Sequence, residues 1–136
     1  MKLSNQDIFH LLHQKSRYTT KLVNQPLKEH GLYTSQWSIL FCLHEFGTMT
    51  QKEIWTYLNV EAPTVTRTVK RMEESGWIER TQGDDKRERI IVLTEEAKVK
   101  FSEIEASVET IERTLLQHFT EQEKEQLYEL LRKIEI

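Results

Sequence analysis

A short charged turn between two strand-like segments interrupts an otherwise helical chain at residues 81–94, TQGDDKRERIIVLT. Gly83 and the two aspartates after it predict a turn, because these residue types favour turn conformations. The segment WIER before the turn and the run RIIVL at its end predict two short strands that pair as a hairpin. Three cations lie at or beside the tip: Lys86, Arg87 and Arg89. A mainly helical chain thus carries a charged finger on a small hairpin.

Helical periodicity covers most of the remaining sequence and predicts four helices before the hairpin and two after it. Three helix starts carry capping-box patterns, formed by Ser4 with Asp7, Thr50 with Glu53, and Thr120 with Glu123. Pro26 and Gly31 mark the end of the first helix, and Thr34 or Ser35 lies near the start of the second. Pro63 and Gly76 mark the start and the end of the fourth helix, and Thr94 caps the fifth. The fold class expected is mainly α (α+β).

The last two helices carry long apolar stripes. In the fifth helix, apolar residues recur at alternating steps of four and three, as in a heptad seam: Ala97, Phe101, Ile104, Val108, Ile111 and Leu115. The sixth helix has a second stripe: Leu127, Leu130, Leu131 and Ile134. One small domain cannot cover all of this surface, so the stripes predict a homodimer.

Composition excludes several classes of protein. The 136 residues suffice for one domain, and the net charge of −3 means that any anion-binding surface must be local. The 4 glycines are isolated, so there is no phosphate-cradling loop, and no nucleophile–base arrangement indicates an enzyme. The sequence has no apolar run of membrane-spanning length and no visible signal peptide, which predicts a cytoplasmic protein.

The third and fourth helices have the lengths and the tight NVE turn of a helix-turn-helix. On the fourth helix, Val65, Val69 and Met72 form an inward stripe. The opposite face carries hydroxyls early and cations in the middle: Thr64, Thr66, Arg67, Lys70 and Arg71. Such a face suits a helix that enters a DNA major groove by its N-terminal half. The alternative is an ordinary solvated face, which the neighbouring Glu73 and Glu74 favour.

A hairpin directly after a helix-turn-helix defines a winged helix, and this explains the charged finger. The tip cations can reach the minor groove or flanking phosphates. Asp85 is unsuited to a DNA contact, but a carboxylate beside Arg87 can hold the guanidinium in a fixed orientation. The alternative is a solvated turn with internal ion pairs.

The segment VEAPTVTRTVKRMEESGWIERTQGDDKRERIIVLT resembles the MarR family of bacterial winged-helix transcription regulators. Asp85, Lys86 and Arg87 match the Asp-x-Arg wing of that family, and VLT matches the close of its second wing strand. The resemblance covers almost the whole chain. It implies a homodimer with recognition helices in successive major grooves of a pseudo-palindrome. It also implies release from DNA by small, often aromatic or anionic, effectors.

Three residues depart from the pattern of the family. Glu61 stands where a Ser cap is usual, Trp55 replaces a small residue, and Ala97 replaces a common glycine. A carboxylate at position 61 still favours the helix N-terminus but repels a nearby phosphate. The packing around Trp55 must differ from that of the family.

Other candidate sites are weaker. Cys42 lies in an apolar helix and is expected to be buried and inert, because thiol-sensing family members carry their cysteine in the first helix. His10 and His13 have helical spacing for shared metal ligation, but no further ligand accompanies them, so no metal or cofactor is expected. Trp37, His13 and Arg17 are candidates for an effector pocket, since an aromatic wall with a cation suits an aromatic acid. The alternative is that Trp37 is an ordinary core residue and Arg17 an ordinary surface residue.

These patterns predict a homodimeric DNA-binding regulator, most simply a repressor. Residues 1–33 and 97–136 are assigned to dimerisation helices and residues 34–96 to the winged helix-turn-helix, within one compact domain. The alternative function is a winged-helix module for protein–protein interaction without specific DNA binding. Such a module would not need Arg67, Lys70 and the wing arginine on one surface.

Overall fold

The computed structural model describes residues 2–83 and 88–136. Six helices and three short strands follow one another along the chain. They are α1 (Asn5–Glu29), α2 (Thr34–Phe46), β1 (Met49–Thr50), α3 (Gln51–Leu58), α4 (Ala62–Glu74), β2 (Ile78–Gln82), β3 (Arg89–Leu93), α5 (Glu95–Leu115) and α6 (Glu121–Arg132). The predicted order of four helices, a hairpin and two helices is confirmed.

Local capping sets most helix boundaries. The capping boxes predicted at Ser4, Thr50 and Thr120 are all present, and the Thr94 side chain caps α5. After α4, the Gly76 amide bonds Glu73 O and the Trp77 amide bonds Met72 O, with Gly76 at φ +83°. This is the Schellman pattern, which a glycine in left-handed conformation favours. Gly76 therefore ends α4 as predicted and sets the direction of the chain into β2.

The end of α1 and the start of α2 lie where the sequence placed them. Pro26 is in the last turn of α1, which ends at Glu29 in a second Schellman pattern around Gly31. α2 begins at Thr34, with Tyr33 as its N-cap residue. The Thr34 amide donates to Asn24 Oδ1 on α1 at 2.9 Å. Capping from a residue ten positions away leaves no local signal, so this contact was not predicted.

The three strands form one antiparallel sheet in the order β1-β3-β2. β2 and β3 make the hairpin, with Ile78 opposite Leu93 and Gln82 opposite Arg89. β1 was not expected from the sequence; it adds two residues to the outer edge of β3, where Met49 pairs with Ile91. With α3 and α4 directly before this hairpin in the chain, the fold is a winged helix-turn-helix. It is preceded in sequence by α1 and followed by α5, which packs against α1, and by α6.

A single core joins α1, α2, α3, α4, the sheet and α5. Its members include Val23 and Leu27 of α1, Val65 and Met72 of α4, and Ile104 of α5. The first four seam positions of α5, from Ala97 to Val108, are buried within this core. Every residue of α6 is described, and none of them is buried. The apolar stripe of α6 therefore finds no partner within its own chain.

Candidate DNA-binding surface

α4 presents two chemically distinct faces, because its apolar residues recur at helical spacing. Val65, Val69 and Met72 are buried at 2%, 0% and 0% exposure. The predicted contact residues are all exposed: Thr64, Thr66, Arg67, Lys70 and Arg71. The sequence-based division of this helix is therefore reproduced at every one of these positions, and α4 has an outer surface with three cations and two hydroxyls.

Both hydroxyls at the start of α4 are already engaged within the protein. Thr66 Oγ1 lies 3.0 Å from Ala62 O and 3.2 Å from Gln51 Oε1. Arg67 Nη2 lies 3.5 Å from Thr64 Oγ1, at the outer limit of a hydrogen bond. The Thr66 contact links α4 to the first residue of α3. Because the Gln51 side chain accepts through Oε1, its amide nitrogen remains free to donate. Gln51 therefore lies beside the outer face of α4, which the sequence did not predict.

Glu73, an acidic residue near the cations of α4, is paired with an arginine of the same chain. Arg80 Nε on β2 lies 3.4 Å from Glu73 Oε2 on α4, and the Arg80 side chain is only 19% exposed. The Arg80 Nε has no hydrogen-bond partner of good geometry among the described residues, so the contact is mainly electrostatic. This ion pair joins the recognition helix to the first wing strand. Glu61 and Glu74 are exposed, and Glu61 makes no side-chain hydrogen bond as the N-cap of α4.

The wing strands β2 and β3 follow α4 directly along the chain. Arg89 is exposed at the start of β3, opposite Gln82. Asp85, Lys86 and Arg87 lie outside the described residues, so their assigned roles stay predictions. The base of the wing is firmly held. Thr94 Oγ1 lies 2.8 Å from Gly76 O and accepts from the Ala97 amide at 3.1 Å, which ties the ends of α4 and β3 to the start of α5.

Comparison with known proteins now identifies the family. The MarR family model matches residues 32–88. The chain is 51% identical over 132 residues to the uncharacterized HTH-type transcriptional regulator YwoH of Bacillus subtilis (strain 168), which covers 97% of this chain and 96% of the relative. The chain belongs to the MarR family. It is a transcription regulator and not an enzyme, as the sequence predicted.

Solved structures with the same fold include MarR-family regulators and a further DNA-bound protein. A mutant of MarR from E. coli in complex with operator DNA matches with a TM-score of 0.86 at 24% identity, covering 98% of this chain and 99% of the other. A MarR-family regulator from Rhodococcus sp. RHA1 matches with a TM-score of 0.88 at 21% identity, covering 98% and 96%. The overoxidized form of AbfR bound to DNA matches with a TM-score of 0.78 at 25% identity, covering 94% and 89%.

The residues that depart from the MarR pattern have clear positions. Trp55 is partly buried and packs against the core from α3, and Ala97 is buried in the first turn of α5. A methyl group at position 97 is therefore part of the core. Glu61 is the N-cap residue, but its carboxylate stays in solvent.

A cleft lies beside the DNA-binding unit, between α2, α3 and α5, with a volume of about 770 Å³. Trp37 lines it, as do Phe41, Cys42, Tyr57, Glu105, Glu109 and Glu112. Cys42 is 1% exposed, and burial raises the pKa of its thiol, which fits the inert cysteine that the sequence predicted. His13 and Arg17 are exposed on α1 and are not among the lining residues, so one chain does not bring them together with Trp37. The pocket of three residues stays a prediction.

Stacked rings form the aromatic side of this cleft. The Phe101 ring stacks on Trp37 at 5.2 Å between centroids and on His44 at 3.8 Å. Trp37 and His44 are two turns apart on α2, about 10 Å along the helix axis, so Phe101 of α5 lies between them. This interlocking arrangement fixes the Trp37 ring and holds α2 against α5. The sequence showed each aromatic residue separately but not the stack.

Two further observations concern metals and membranes. Within residues 2–83 and 88–136, no group of three or more His, Cys, Asp or Glu side chains is placed to hold a metal ion. None of the helices in these ranges is long and apolar enough to cross a membrane.

Proposed function

We propose that this MarR-family regulator binds double-stranded DNA as a homodimer and represses transcription from a pseudo-palindromic operator. The observation that carries the proposal is the outer face of α4. Arg67, Lys70 and Arg71 are exposed there, while the opposite face of the helix is buried in the core. In this proposal the guanidinium of Arg67 forks onto a guanine edge, and Lys70 and Arg71 bind phosphates or neighbouring bases. At the start of the helix, Thr64 donates its hydroxyl proton to a phosphate or a base edge. Thr66 accepts from a base edge, because its own proton is directed at Ala62 O and Gln51 Oε1.

The wing supplies the second set of contacts. Arg87 reaches the minor groove, with Asp85 as its orienting carboxylate, and Lys86 and Arg89 bind flanking phosphates. Support comes from the exposed position of Arg89 and from the Thr94 and Arg80 contacts that hold the base of the hairpin against α4 and α5. A rigid base lets a short finger keep a constant distance from the recognition helix.

The homodimer is supported by the apolar surface that one chain leaves uncovered. Exposed apolar side chains lie on α1, on α6 and just after the end of α6: Ile8, Phe9, Leu11, Leu127, Leu130, Leu131 and Ile134. Residues 1–33 and 97–136 supply the dimerisation helices, and residues 34–96 supply the winged helix-turn-helix. A two-fold axis then places two copies of α4 about one duplex turn, roughly 34 Å, apart.

The regulator is proposed to release DNA when a small aromatic effector binds. Trp37 is the aromatic residue that favours this, because it lines the cleft between α5 and the helix-turn-helix.

The test is selection of DNA by the purified protein at physiological salt. Fragmented genomic DNA is retained on the protein and sequenced, and the affinity for a recovered fragment is compared with that for random DNA over a range of salt concentrations. We expect a small number of promoter fragments that share an inverted repeat, with affinity that falls steeply with salt. Equal, weak retention of all sequences would favour the protein–protein interaction module instead. The Arg67→Ala, Lys70→Ala double variant is the control for retention through α4.

A further inference from the structure

The cleft beside the winged helix-turn-helix has a charge that the family resemblance did not predict. Glu105, Glu109 and Glu112 of α5 line it at spacings of four and three, which places all three carboxylates on one face of that helix. Among the described residues that line this cleft there is no lysine, arginine or histidine. A cleft of this composition repels an anion, so it does not suit the aromatic acid expected from the sequence.

These carboxylates are only partly neutralised by the protein. Glu109 is paired with Arg113, whose Nη2 lies 2.5 Å from its Oε2. Glu105 and Glu112 have no ion-pair partner among the residues that the structure describes. Burial raises the pKa of Glu112, and the neighbouring charges of Glu109 and Glu105 raise it further. Like charges are therefore held close together, and a cation in the cleft relieves their repulsion.

The wall formed by α2 and α3 is aromatic. Trp37 is fixed by its stack on Phe101, with Phe41 at 6.3 Å, and Tyr57 is held edge-on by Phe46 at 5.0 Å. The faces of Trp and Tyr rings attract organic cations, and they also stack on aromatic ligands. The volume of about 770 Å³ falls in the range of sites for small organic molecules and is far larger than a metal ion needs.

We propose that this cleft binds a small aromatic organic cation, held between the ring faces of Trp37 and Tyr57 and the carboxylates of Glu105 and Glu112. This ligand class makes the proposed effector specific, and its regulatory meaning rests on the proposed function. Trp37 lies on α2, Tyr57 on α3 and the carboxylates on α5. The bound cation thus bridges the helix-turn-helix and the helix that continues toward the dimer interface. A ligand that favours one relative position of these elements shifts the spacing of the two recognition helices.

The test compares two probes of nearly equal shape and opposite charge, tetraphenylphosphonium and tetraphenylborate. Each is titrated into the full-length protein, and binding is followed by calorimetry and by tryptophan fluorescence. We expect saturable phosphonium binding that quenches fluorescence, with the quenching lost in Trp37→Phe. We expect borate to cause no quenching that depends on Trp37. Equal Trp37-dependent binding of both probes, or of neither, would overturn the proposal.

Variants of the carboxylates provide the second readout. Glu105→Gln with Glu112→Gln is expected to weaken phosphonium binding about tenfold, the loss that follows from removing two solvent-exposed charge contacts. Glu103→Gln is the matched control, because it removes an exposed carboxylate from the same helix outside the cleft. Equal phosphonium affinity in the double variant and in this control would show that Glu105 and Glu112 do not bind the cation.

Failure of this inference is distinguishable from failure of the proposed function. If the protein selects an operator but phosphonium does not bind, the cation site is wrong and the DNA-binding role stands. If phosphonium binds with the expected dependence on Trp37 and the glutamates but does not release operator DNA, the cation site stands and its proposed role as the effector site is wrong.

Discussion

At the scale of single residues, Arg67 and Lys70 are both exposed on α4 but differ in their surroundings. Arg67 lies 3.5 Å from Thr64 Oγ1, one turn toward the helix N-terminus, whereas Lys70 makes no ion pair with any described residue. The planar guanidinium can bind a base edge with two parallel hydrogen bonds, and the ammonium acts as a point charge. The two cations are therefore expected to serve different parts of recognition.

The Arg67→Ala variant is expected to lose about 1–3 kcal/mol of binding free energy on the selected operator and much less on random DNA. Lys70→Ala is expected to weaken binding to both more evenly, as loss of a phosphate contact does. Anisotropy titrations with labelled operator and random duplexes measure both effects. Lys28→Ala removes an exposed cation of α1 and serves as the control. Small, equal losses from Arg67→Ala on every sequence would reduce α4 to a nonspecific basic face.

Thr94 is the residue that joins three elements through one hydroxyl group. It donates to Gly76 O and accepts from the Ala97 amide, so Thr94→Val loses both contacts while keeping the shape of the side chain. We expect Thr94→Val to lower the free energy of unfolding by about 1–2 kcal/mol and Thr94→Ser to lower it much less. Urea denaturation at one protein concentration measures the difference. Equal losses in the two variants would show that the hydroxyl group is not responsible.

At the scale of elements, the wing and α4 behave as one recognition unit because contacts at their base connect them. The Glu73–Arg80 pair joins α4 to β2, and the Schellman turn at Gly76 determines how the chain leaves α4. These contacts hold the hairpin, while its tip residues 84–87 lie outside the described ranges. The function assigned to the tip therefore has to be tested directly.

A double-mutant cycle on Asp85 and Arg87 tests the tip. Arg87→Ala is expected to weaken DNA binding and to lower the salt slope by about 0.9 per wing, the share of one phosphate contact. If Asp85 orients Arg87, Asp85→Ala also weakens binding, because a free arginine side chain loses more entropy on reaching the groove. The effects of the two changes should then be non-additive. Tighter binding in Asp85→Ala, with additive effects, would make the aspartate only a turn-forming residue.

At the scale of the whole molecule, both α1 and α6 expose large apolar side chains. All described residues of α6 are at least partly exposed, including Leu130 at 61% and Leu131 at 44%. A helix with an apolar stripe and no partner in its own chain is expected to bury that stripe against a second copy. The α5 seam, by contrast, is already used within the chain from Ala97 to Val108.

Light scattering at low micromolar concentration is expected to report twice the 16.3 kDa mass of one chain. Leu131→Glu places a charge in the α6 stripe and is expected to shift the population toward monomer and to weaken operator binding in parallel. Val60→Glu changes an apolar residue of similar exposure, 38%, in the turn before α4 and should leave the mass unchanged. A well-folded monomer of the unaltered protein at this concentration would contradict the homodimer. It would also contradict the proposed binding of two recognition helices to a pseudo-palindromic operator.

The sequence by itself determined the features that depend on residues within about four positions of each other. The capping boxes at Ser4, Thr50 and Thr120 were correctly predicted because the hydroxyl and the amide that it caps are three residues apart. The division of α4 into a buried and an exposed face followed from helical periodicity alone. The Gly76 terminator was equally local, and the two hairpin strands were predicted from the residue types within each strand. The order of the motifs was specific enough to indicate the family.

Only the tertiary structure decided the contacts between residues far apart in sequence. β1 exists because Met49 pairs with Ile91, and the first amide of α2 is capped by Asn24 on another helix. The stack of Phe101 between Trp37 and His44 likewise had no local signal. The negative charge of the cleft arises from α5 carboxylates that packing brings opposite an aromatic wall. Charge and aromatic residues can be read from a sequence, but which of them face one another depends on how the helices pack.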